Sequence, residues 1–387
     1  MRPASLSLCL ALVLACQAYQ FEEIEPKFIG AKTESYAIPS EKKPPNLMLV
    51  VDRSGSMTEA ADGSAVGCAQ NGEYDSGSQV PCKWNDLKRL LASEGGFLAT
   101  NAGIVNFGLV RFAGNDFCGE GKVDSYIGKD TEAAQSADAV AKLLNDSKPK
   151  GGTPTALSLD HVLDDSRMRT AEDGRDRFVM LLTDGAPNCN PANGSLCTAA
   201  CQASSASCSQ IGQCKPTFPC AATKDTFLGA GCLDENGTVA AVRRLADNGI
   251  RTFVIGFGAA TKNEGSDAYR VLDAAALAGG LARGAEPRFY QANSEKELSA
   301  ALAALIEVVR KCDYTLSPPP DDVRLLEVAF VYGDGRQEIL KPPAPETPGD
   351  WIWDAAESQV TITGARCAEI QSGPEGLAVE FRYVVGL

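Results

Sequence analysis

Three oxygen-bearing side chains follow the first long apolar run of the chain, "LMLVV", at alternate positions. They are Asp52, Ser54 and Ser56. In an extended chain the side chains at positions i, i+2 and i+4 point the same way, so these three can converge on one point beyond the strand. Ligands of open doubly wound sheets bind at the carboxyl ends of the strands, where this loop is expected. The spacing therefore predicts a binding site here.

Two further segments end in the same kind of chemistry. In "GGTPT", Thr153 follows two glycines that let the backbone approach closely, and Pro154 suits the first turn of a following helix. "LLTDG" ends a strand at Asp184. Together the three loops offer three hydroxyls and two carboxylates, which are donors for a hard divalent cation such as Mg²⁺. Zinc is disfavoured because the chain has no C-x-x-C pair and a single histidine, His161.

The elements that must position these loops alternate between apolar strands and amphipathic helices. Strands that are apolar throughout and separated by helices predict an α/β fold, with a doubly wound, mainly parallel sheet covered on both faces. We assign this domain to residues 46–312. Two stretches interrupt the pattern, residues 58–82 and the cysteine-rich residues 186–234. Long irregular loops with crosslinks favour a functional role. For the cysteine cluster of the second stretch, a loop that is only stapled is favoured over direct binding of a ligand.

The segments on either side of this domain differ in composition. Residues 19–45 are polar and end in "SEKKPPN", which predicts a linker. After "SPPPDD", residues 313–387 contain short strand-like runs, a "GDG" turn signal and no helical period. We expect a small β-rich C-terminal module there.

The first 18 residues predict export. One basic residue precedes an apolar stretch of about a dozen residues, which is too short to span a bilayer and is typical of a signal peptide. "VLAC" resembles the lipobox of bacterial lipoproteins, with Cys16 as the lipidated residue. The alternative is cleavage after Ala18 and release as a secreted protein. The predicted location is therefore extracytoplasmic, with the outer membrane or cell surface reached only through a lipid anchor at Cys16.

Charge and cysteine content agree with this location. The 387-residue chain has a formal charge of −14, which becomes −15 without the signal, so nucleic acid is a poor partner. Of its 14 cysteines, 12 lie beyond the signal, an even number that favours disulfides. We expect Cys68 to pair with Cys82 and Cys312 with Cys367. Cys118 is left with the seven cysteines of the second insertion, and their connectivity is open.

The Asp-x-Ser-x-Ser loop, the threonine loop and the second aspartate together resemble the metal-ion-dependent adhesion site of von Willebrand factor type A domains. All five positions match, and the resemblance runs from about Asn46 to Lys311. It implies hydroxyl ligation of Mg²⁺ (or Mn²⁺) by Ser54, Ser56 and Thr153. Asp52 and Asp184 would act through water or orient the shell, and a carboxylate of a protein ligand would take the open position. The signal, insertions and β module resemble exported bacterial members of this family.

Three classes of function follow from these residues. The favoured one is a non-enzymatic, metal-dependent protein-binding module at the cell surface. A structural envelope scaffold, in which the metal only stabilises the fold, is the alternative. A hydrolase is the third class. It is disfavoured because Ser54 stands where aspartyl-phosphate hydrolases need a carboxylate, and because no motif places His161 beside a serine.

Overall fold

The computed structural model describes the backbone of residues 32–38 and most of the chain from residue 44 to residue 385. The described ranges beyond residue 43 are 44–64, 67–70, 73–74, 81–114, 118–128, 133–170, 175–190, 233–309, 312–344, 349–371 and 377–385. The predicted signal peptide with Cys16 and most of the second insertion lie outside the described residues. None of the helices in the described part is long and apolar enough to cross a membrane.

The described residues form fifteen strands and nine α-helices. The strands are β1 (Lys32–Ile38), β2 (Asn46–Asp52), β3 (Ala69–Gln70), β4 (Glu73–Tyr74), β5 (Asn106–Phe112), β6 (Val123–Ser125), β7 (Arg177–Thr183), β8 (Ile250–Phe257), β9 (Tyr290–Ala292), β10 (Cys312–Thr315), β11 (Glu327–Val331), β12 (Gln337–Ile339), β13 (Trp351–Asp354), β14 (Gln359–Ile362) and β15 (Ala378–Val385). The helices are α1 (Lys83–Ala92), α2 (Phe97–Asn101), α3 (Ala133–Asn145), α4 (Thr155–Asp160), α5 (Ser166–Arg169), α6 (Glu235–Asp247), α7 (Asp267–Ala278), α8 (Glu295–Val309) and α9 (Gly364–Gln371).

The main sheet has six strands in the order β6-β5-β2-β7-β8-β9. Strand β2 lies at its centre and pairs in parallel with β5 on one side and β7 on the other. The pairs β7–β8 and β8–β9 are also parallel, and only the edge strand β6 runs antiparallel. All seven residues of β2 and of β7 are buried, as expected for strands covered on both faces. The predicted mainly parallel α/β fold is confirmed.

The two faces of this sheet are covered by separate apolar cores. Alternate residues of a strand point to opposite faces, so Leu47 and Leu49 join one core while Met48 and Val50 join the other. Helices α1, α2, α3 and α8 supply the first core, and α4, α6 and α7 supply the second. Because helices cover both faces, the carboxyl edge of the sheet is where loops can present polar groups.

The C-terminal residues build two antiparallel sheets, in the orders β1-β15-β11-β12 and β10-β14-β13. Between them lies a third core, which includes Trp351 and Phe381. This region also contains a helix, α9, which the strand-like pattern did not predict. Its eight residues span only about two turns, too few for a helical period to stand out. The predicted domain boundaries, at residues 46–312 and 313–387, stay a prediction.

The expectation that residues 19–45 form only a linker is wrong for residues 32–38. These residues are strand β1, which pairs with β15 over seven positions, from Lys32 opposite Val385 to Ile38 opposite Val379. The polar, proline-containing composition does not indicate this strand, because the pairing partner lies more than 340 residues further along the chain. Such a distant partner leaves no local signal.

Three disulfides are present among the described residues. Cys68–Cys82 and Cys312–Cys367 confirm the two predicted pairs. Cys118 pairs with Cys189, the first cysteine of the second insertion. The remaining six cysteines of that insertion lie outside the described residues. The first predicted insertion also contains a short hairpin, β3–β4, beside the disulfide.

Candidate functional site

The two predicted aspartates lie side by side because their strands are parallel neighbours. Asp52 is the last residue of β2, and Asp184 directly follows Thr183, the last residue of β7. The register places Val51 opposite Leu182, so both strands end at the same level of the sheet. Both aspartates are buried, with relative exposures of 0% and 1%. Two buried carboxylates at one sheet edge require a compensating positive charge or hydrogen bonds.

The Asp-x-Ser-x-Ser loop links these aspartates through a continuous chain of hydrogen bonds. The backbone N–H of Ser54 donates to Oδ1 of Asp52 at 2.7 Å. The hydroxyls of Ser54 and Ser56 lie 3.0 Å apart, and Ser56 donates to Oδ1 of Asp184 at 2.9 Å. A 3₁₀ turn at Gly55–Thr58 follows Ser54. The structure thus brings four of the five predicted site residues into one connected cluster.

Thr153, the fifth predicted residue, is carried by a loop that is bonded to the same cluster. Gly55 donates its N–H to the carbonyl of Gly151 at 3.0 Å. Gly151 has a φ of +76°, a conformation that glycine adopts without strain. The Thr153 N–H donates to Oδ1 of Asn188 at 2.9 Å, and the Asn188 N–H returns a bond to the Thr153 carbonyl at 3.1 Å. These hydrogen bonds hold the threonine loop between the Asp52 loop and the loop after β7.

The surroundings of Asp52 shift the pKa of its carboxyl group. Burial, and secondly the nearby charge of Asp184, raise the pKa of Asp52 to about 7, although hydrogen bonds from Ser54 and Thr183 act in the opposite direction. The Thr183 hydroxyl donates to Oδ2 of Asp52 at 2.5 Å. Because burial and Asp184 both disfavour the charged form of Asp52, a positive charge nearby would stabilise its carboxylate.

A lysine that the sequence pattern did not point to lies next to this cluster. The Nζ of Lys83 is 2.6 Å from Oδ2 of Asp184 and 3.2 Å from Oε2 of Glu59. The Asp184 oxygen has no hydrogen bond of normal geometry within the described part, so the contact is a close ion pair with poor hydrogen-bond direction. Burial lowers the pKa of Lys83, but Asp184 and Glu59 outweigh it and the pKa lies above its ordinary value.

Lys83, Thr183 and Asn188 are the residues of this site that sequence reasoning missed. Thr183 carries a usable signal, because a hydroxyl next to Asp184 at a strand end resembles the other donors. Lys83 begins a helix whose sequence, "KWNDLKRLLA", indicates an ordinary amphipathic surface. Asn188 lies in an irregular loop, where an asparagine commonly reflects turn chemistry. Only the packing of the three loops identifies Lys83 and Asn188 as residues of this site.

Within the described residues, the polar contacts of His161 are with surface carboxylates and not with the serine loop. Its Nδ1 lies 2.6 Å from Oδ2 of Asp164, and its Nε2 lies 3.6 Å from Oε1 of Glu120. These partners are carboxylates on the surface, not the hydroxyl of Ser54 or Ser56. These contacts agree with the absence of any motif that would place His161 beside a serine.

The donor set fits a hard divalent cation. Carboxylate and hydroxyl oxygens suit Mg²⁺ or Mn²⁺, and the buried Oδ2 of Asp184 already pairs with one cation, the ammonium of Lys83. The described residues contain no group of three or more histidine, cysteine, aspartate or glutamate side chains arranged to hold a metal. The candidate site therefore depends on its hydroxyls as much as on its two carboxylates.

Comparison with known proteins found no matching family model and no matching curated protein. The solved structures similar to this chain include the SpaC pilus adhesin of Lactobacillus rhamnosus GG, with 16% identity and a TM-score of 0.44 over 92% of this chain and 43% of that one. An aerotolerance-related membrane protein of Bacteroides fragilis has 15% identity and a TM-score of 0.40 over 68% of this chain and 98% of that one.

The manganese-loaded TRAP protein of Plasmodium vivax has 16% identity and a TM-score of 0.40, over 71% of this chain and 78% of that one. This chain covers 43% of the SpaC chain and so spans less than half of its length. The TM-scores are all below 0.5, so the fold assignment rests on the strand order of this chain itself. The chain has an α/β fold, with a mixed, mainly parallel six-stranded sheet between two helical layers.

Proposed function

We propose that this protein is a non-enzymatic, metal-dependent binding module that acts outside the cytoplasm. Ser54, Ser56 and Thr153 would supply hydroxyl ligands to one Mg²⁺ or Mn²⁺, and Asp52 and Asp184 would complete the shell. One observation carries the proposal, the hydrogen-bonded chain from Asp52 through both serines to Asp184 at the carboxyl edge of the sheet. A cation at this point would replace the mutual repulsion of the two carboxylates with attraction.

The proposed ligand is a carboxylate presented by a partner protein. Two carboxylates and several neutral hydroxyls leave a divalent ion able to attract one more anion. The overall charge of the chain opposes an acidic partner at long range, but salt screens such interactions beyond about 10 Å, so the local cation decides. The manganese-loaded state of TRAP agrees with the proposed ion, although the donors of this chain carry the proposal.

The disulfides indicate an extracytoplasmic protein, because such crosslinks persist in oxidising compartments. Within that setting we propose a cell-surface role, with attachment through lipidated Cys16 or, as the alternative, secretion after cleavage. Adhesion is the favoured activity. A scaffold role in which the metal only stabilises the fold remains the second candidate, and metal-dependent capture of a partner separates the two.

The first experiment measures metal binding by isothermal titration calorimetry. Wild-type protein should bind Mg²⁺ or Mn²⁺ at one site, and a Ser54→Ala/Ser56→Ala variant should lose that binding because two of the three hydroxyl donors are gone. Ser93→Ala, at an exposed position, is the matched control and should bind like wild type. Unchanged binding by the double variant would show that the metal site lies elsewhere.

The second experiment tests capture of a partner. Envelope and extracellular extracts are passed over immobilised protein with Mg²⁺ or with chelator, and bound proteins are identified. Capture should require both the metal and the two serines. Retention of the same partner at full strength in chelator would contradict the adhesion proposal, even with the fold correct. Turnover of ester or phosphoester substrates that disappears in the double variant would favour the hydrolase instead.

The Asp184→Ala substitution is a poor test of the site. Asp184 is 1% exposed and pairs with buried Lys83. Removing its carboxylate would leave the lysine with a single partner and would destabilise the edge as well as the site. Substitutions of Ser54 and Ser56 avoid this second effect because they remove no charge.

A further inference from the structure

Lys83 occupies a position that the structure defines closely. It is the first residue of α1 and follows Cys82, which the disulfide ties to Cys68. Its backbone N–H donates to the carbonyl of Glu59 at 2.9 Å. The origin of its side chain is therefore held beside the metal-site loops by both a covalent bond and a hydrogen bond.

A niche in the neighbouring strand end accommodates the aliphatic part of this side chain. Gly258 follows β8 with a φ of +116°, and a Cβ added there would lie 2.8 Å from Cδ of Lys83. Any larger residue at Gly258 would clash with the lysine. The Lys83 side chain is only 3% exposed, and its ammonium group reaches the buried carboxylate of Asp184.

The two carboxylate partners of Lys83 differ in exposure. Asp184 has a fully buried side chain, at 0% exposure, whereas the Glu59 side chain is 65% exposed. A buried ammonium needs a partner, and Glu59 can still supply one when Asp184 is engaged elsewhere. The lysine thus lies between a site carboxylate and an adjustable surface carboxylate.

We propose that the Lys83 ammonium and the divalent ion compete for Asp184, so that Lys83 sets the metal affinity of the site. This inference rests on the metal site of the proposed function. In the metal-free protein Lys83 neutralises Asp184 and stabilises the empty edge. When a divalent ion engages Asp184, Lys83 transfers its pairing to Glu59, and the remaining positive charge opposes the ion. The result is a site that loads only at higher metal concentration than the same oxygen donors would require alone.

Calorimetric titration with Mn²⁺ tests this competition. Lys83→Met keeps the length of the side chain and removes its charge, so the variant should bind Mn²⁺ at least about tenfold more tightly, given the strength of charge repulsion in a partly buried site. Lys142→Met removes the same charge from an exposed helix position and should bind like wild type. Glu59→Gln removes the alternative partner of Lys83 and should weaken binding.

A readout that does not involve bound metal accompanies these titrations. In chelator, Lys83→Met should unfold at lower urea concentration than wild type, because Asp184 loses its cation, and Mn²⁺ should reverse the difference. If folded Lys83→Met binds Mn²⁺ as weakly as wild type or more weakly, the competition is overturned while the metal site stands. Glu59→Gln binding as tightly as wild type also overturns it. If neither wild type nor Lys83→Met binds the ion, the competition and the metal site both fail.

Discussion

The hydroxyl of Thr183 donates a 2.5 Å hydrogen bond to Oδ2 of Asp52, joining the ends of two neighbouring parallel strands. Both residues are buried. The bond leaves Oδ1 of Asp52 to the Ser54 backbone, so each carboxylate oxygen has a defined donor. Thr183 therefore orients the carboxylate that anchors the site.

Replacing Thr183 by valine should destabilise the domain by about 1–3 kcal/mol, because Oδ2 of Asp52 is left buried without its donor. Metal affinity should fall as well, since the carboxylate loses its orientation. Urea unfolding in chelator and calorimetry with Mg²⁺ measure the two effects. Thr183→Ser keeps the hydroxyl and serves as the matched control. A valine variant with wild-type stability would mean that the hydrogen bond contributes nothing to the folded state.

Divalent ions should stabilise the folded protein against heat. A ligand that binds only the native state, at a concentration a hundredfold above its dissociation constant, adds about 2.7 kcal/mol to the free energy of unfolding. The melting temperature in Mg²⁺ or Mn²⁺ should therefore exceed that in chelator, and the Ser54→Ala/Ser56→Ala variant should lose the difference. An equal metal-induced shift in the variant would place the stabilising ion outside the candidate site.

Asn188→Ala should weaken metal binding without touching a proposed ligand. Its side chain accepts the Thr153 N–H, so the substitution releases the loop that carries the third hydroxyl. Residues that orient metal ligands typically change affinity by about tenfold to a hundredfold, and we expect a loss in that range. Asn263→Ala, in an exposed turn, is the control measured in the same titration. If Asn188→Ala binds the metal with wild-type affinity, the loop that carries Thr153 does not contribute to the site.

Removing the Cys68–Cys82 disulfide with two serines should cost about 3 kcal/mol, because it closes a loop of about 15 residues and limits the unfolded chain. Urea unfolding of the oxidised wild type and of the double variant gives the difference. Reduction also breaks the other disulfides, so the reduced wild type should lose at least as much stability as the variant if the loss comes from the crosslink. A loss confined to the variant would instead point to poor packing of the serines.

Deleting residues 1–43 removes β1 and should expose one edge of β15. Hydrogen exchange should then become faster at the β15 amides that pair with β1, while amides of β2 keep their protection. A deletion of residues 1–31 keeps β1 and provides the control. Identical exchange at β15 in both deletions would show that β1 does not pair in solution.

The local pattern of the sequence determined the elements and much of the site. Apolar runs such as that ending at Asp52 predict buried parallel strands, because a strand covered on both faces has no polar side. The alternation of Asp52, Ser54 and Ser56 predicts convergent donors from strand geometry alone. The disulfides Cys68–Cys82 and Cys312–Cys367 were also predicted. The first pair flanks an insertion, and the second links the segment just after the last helix of the α/β domain to the C-terminal module.

Only the tertiary structure decided which distant groups face one another. Ser56 and Asp184 are 128 residues apart in sequence, yet Oγ of Ser56 lies 2.9 Å from Oδ1 of Asp184 because β2 and β7 are neighbours in the sheet. The same holds for the pairing of β1 with β15. Lys83 has the local signature of a helix start, and its contact with Asp184 depends on where that helix packs. Periodicity in sequence records which side of an element is buried, whereas the partner of a buried charge is set by the three-dimensional arrangement of elements.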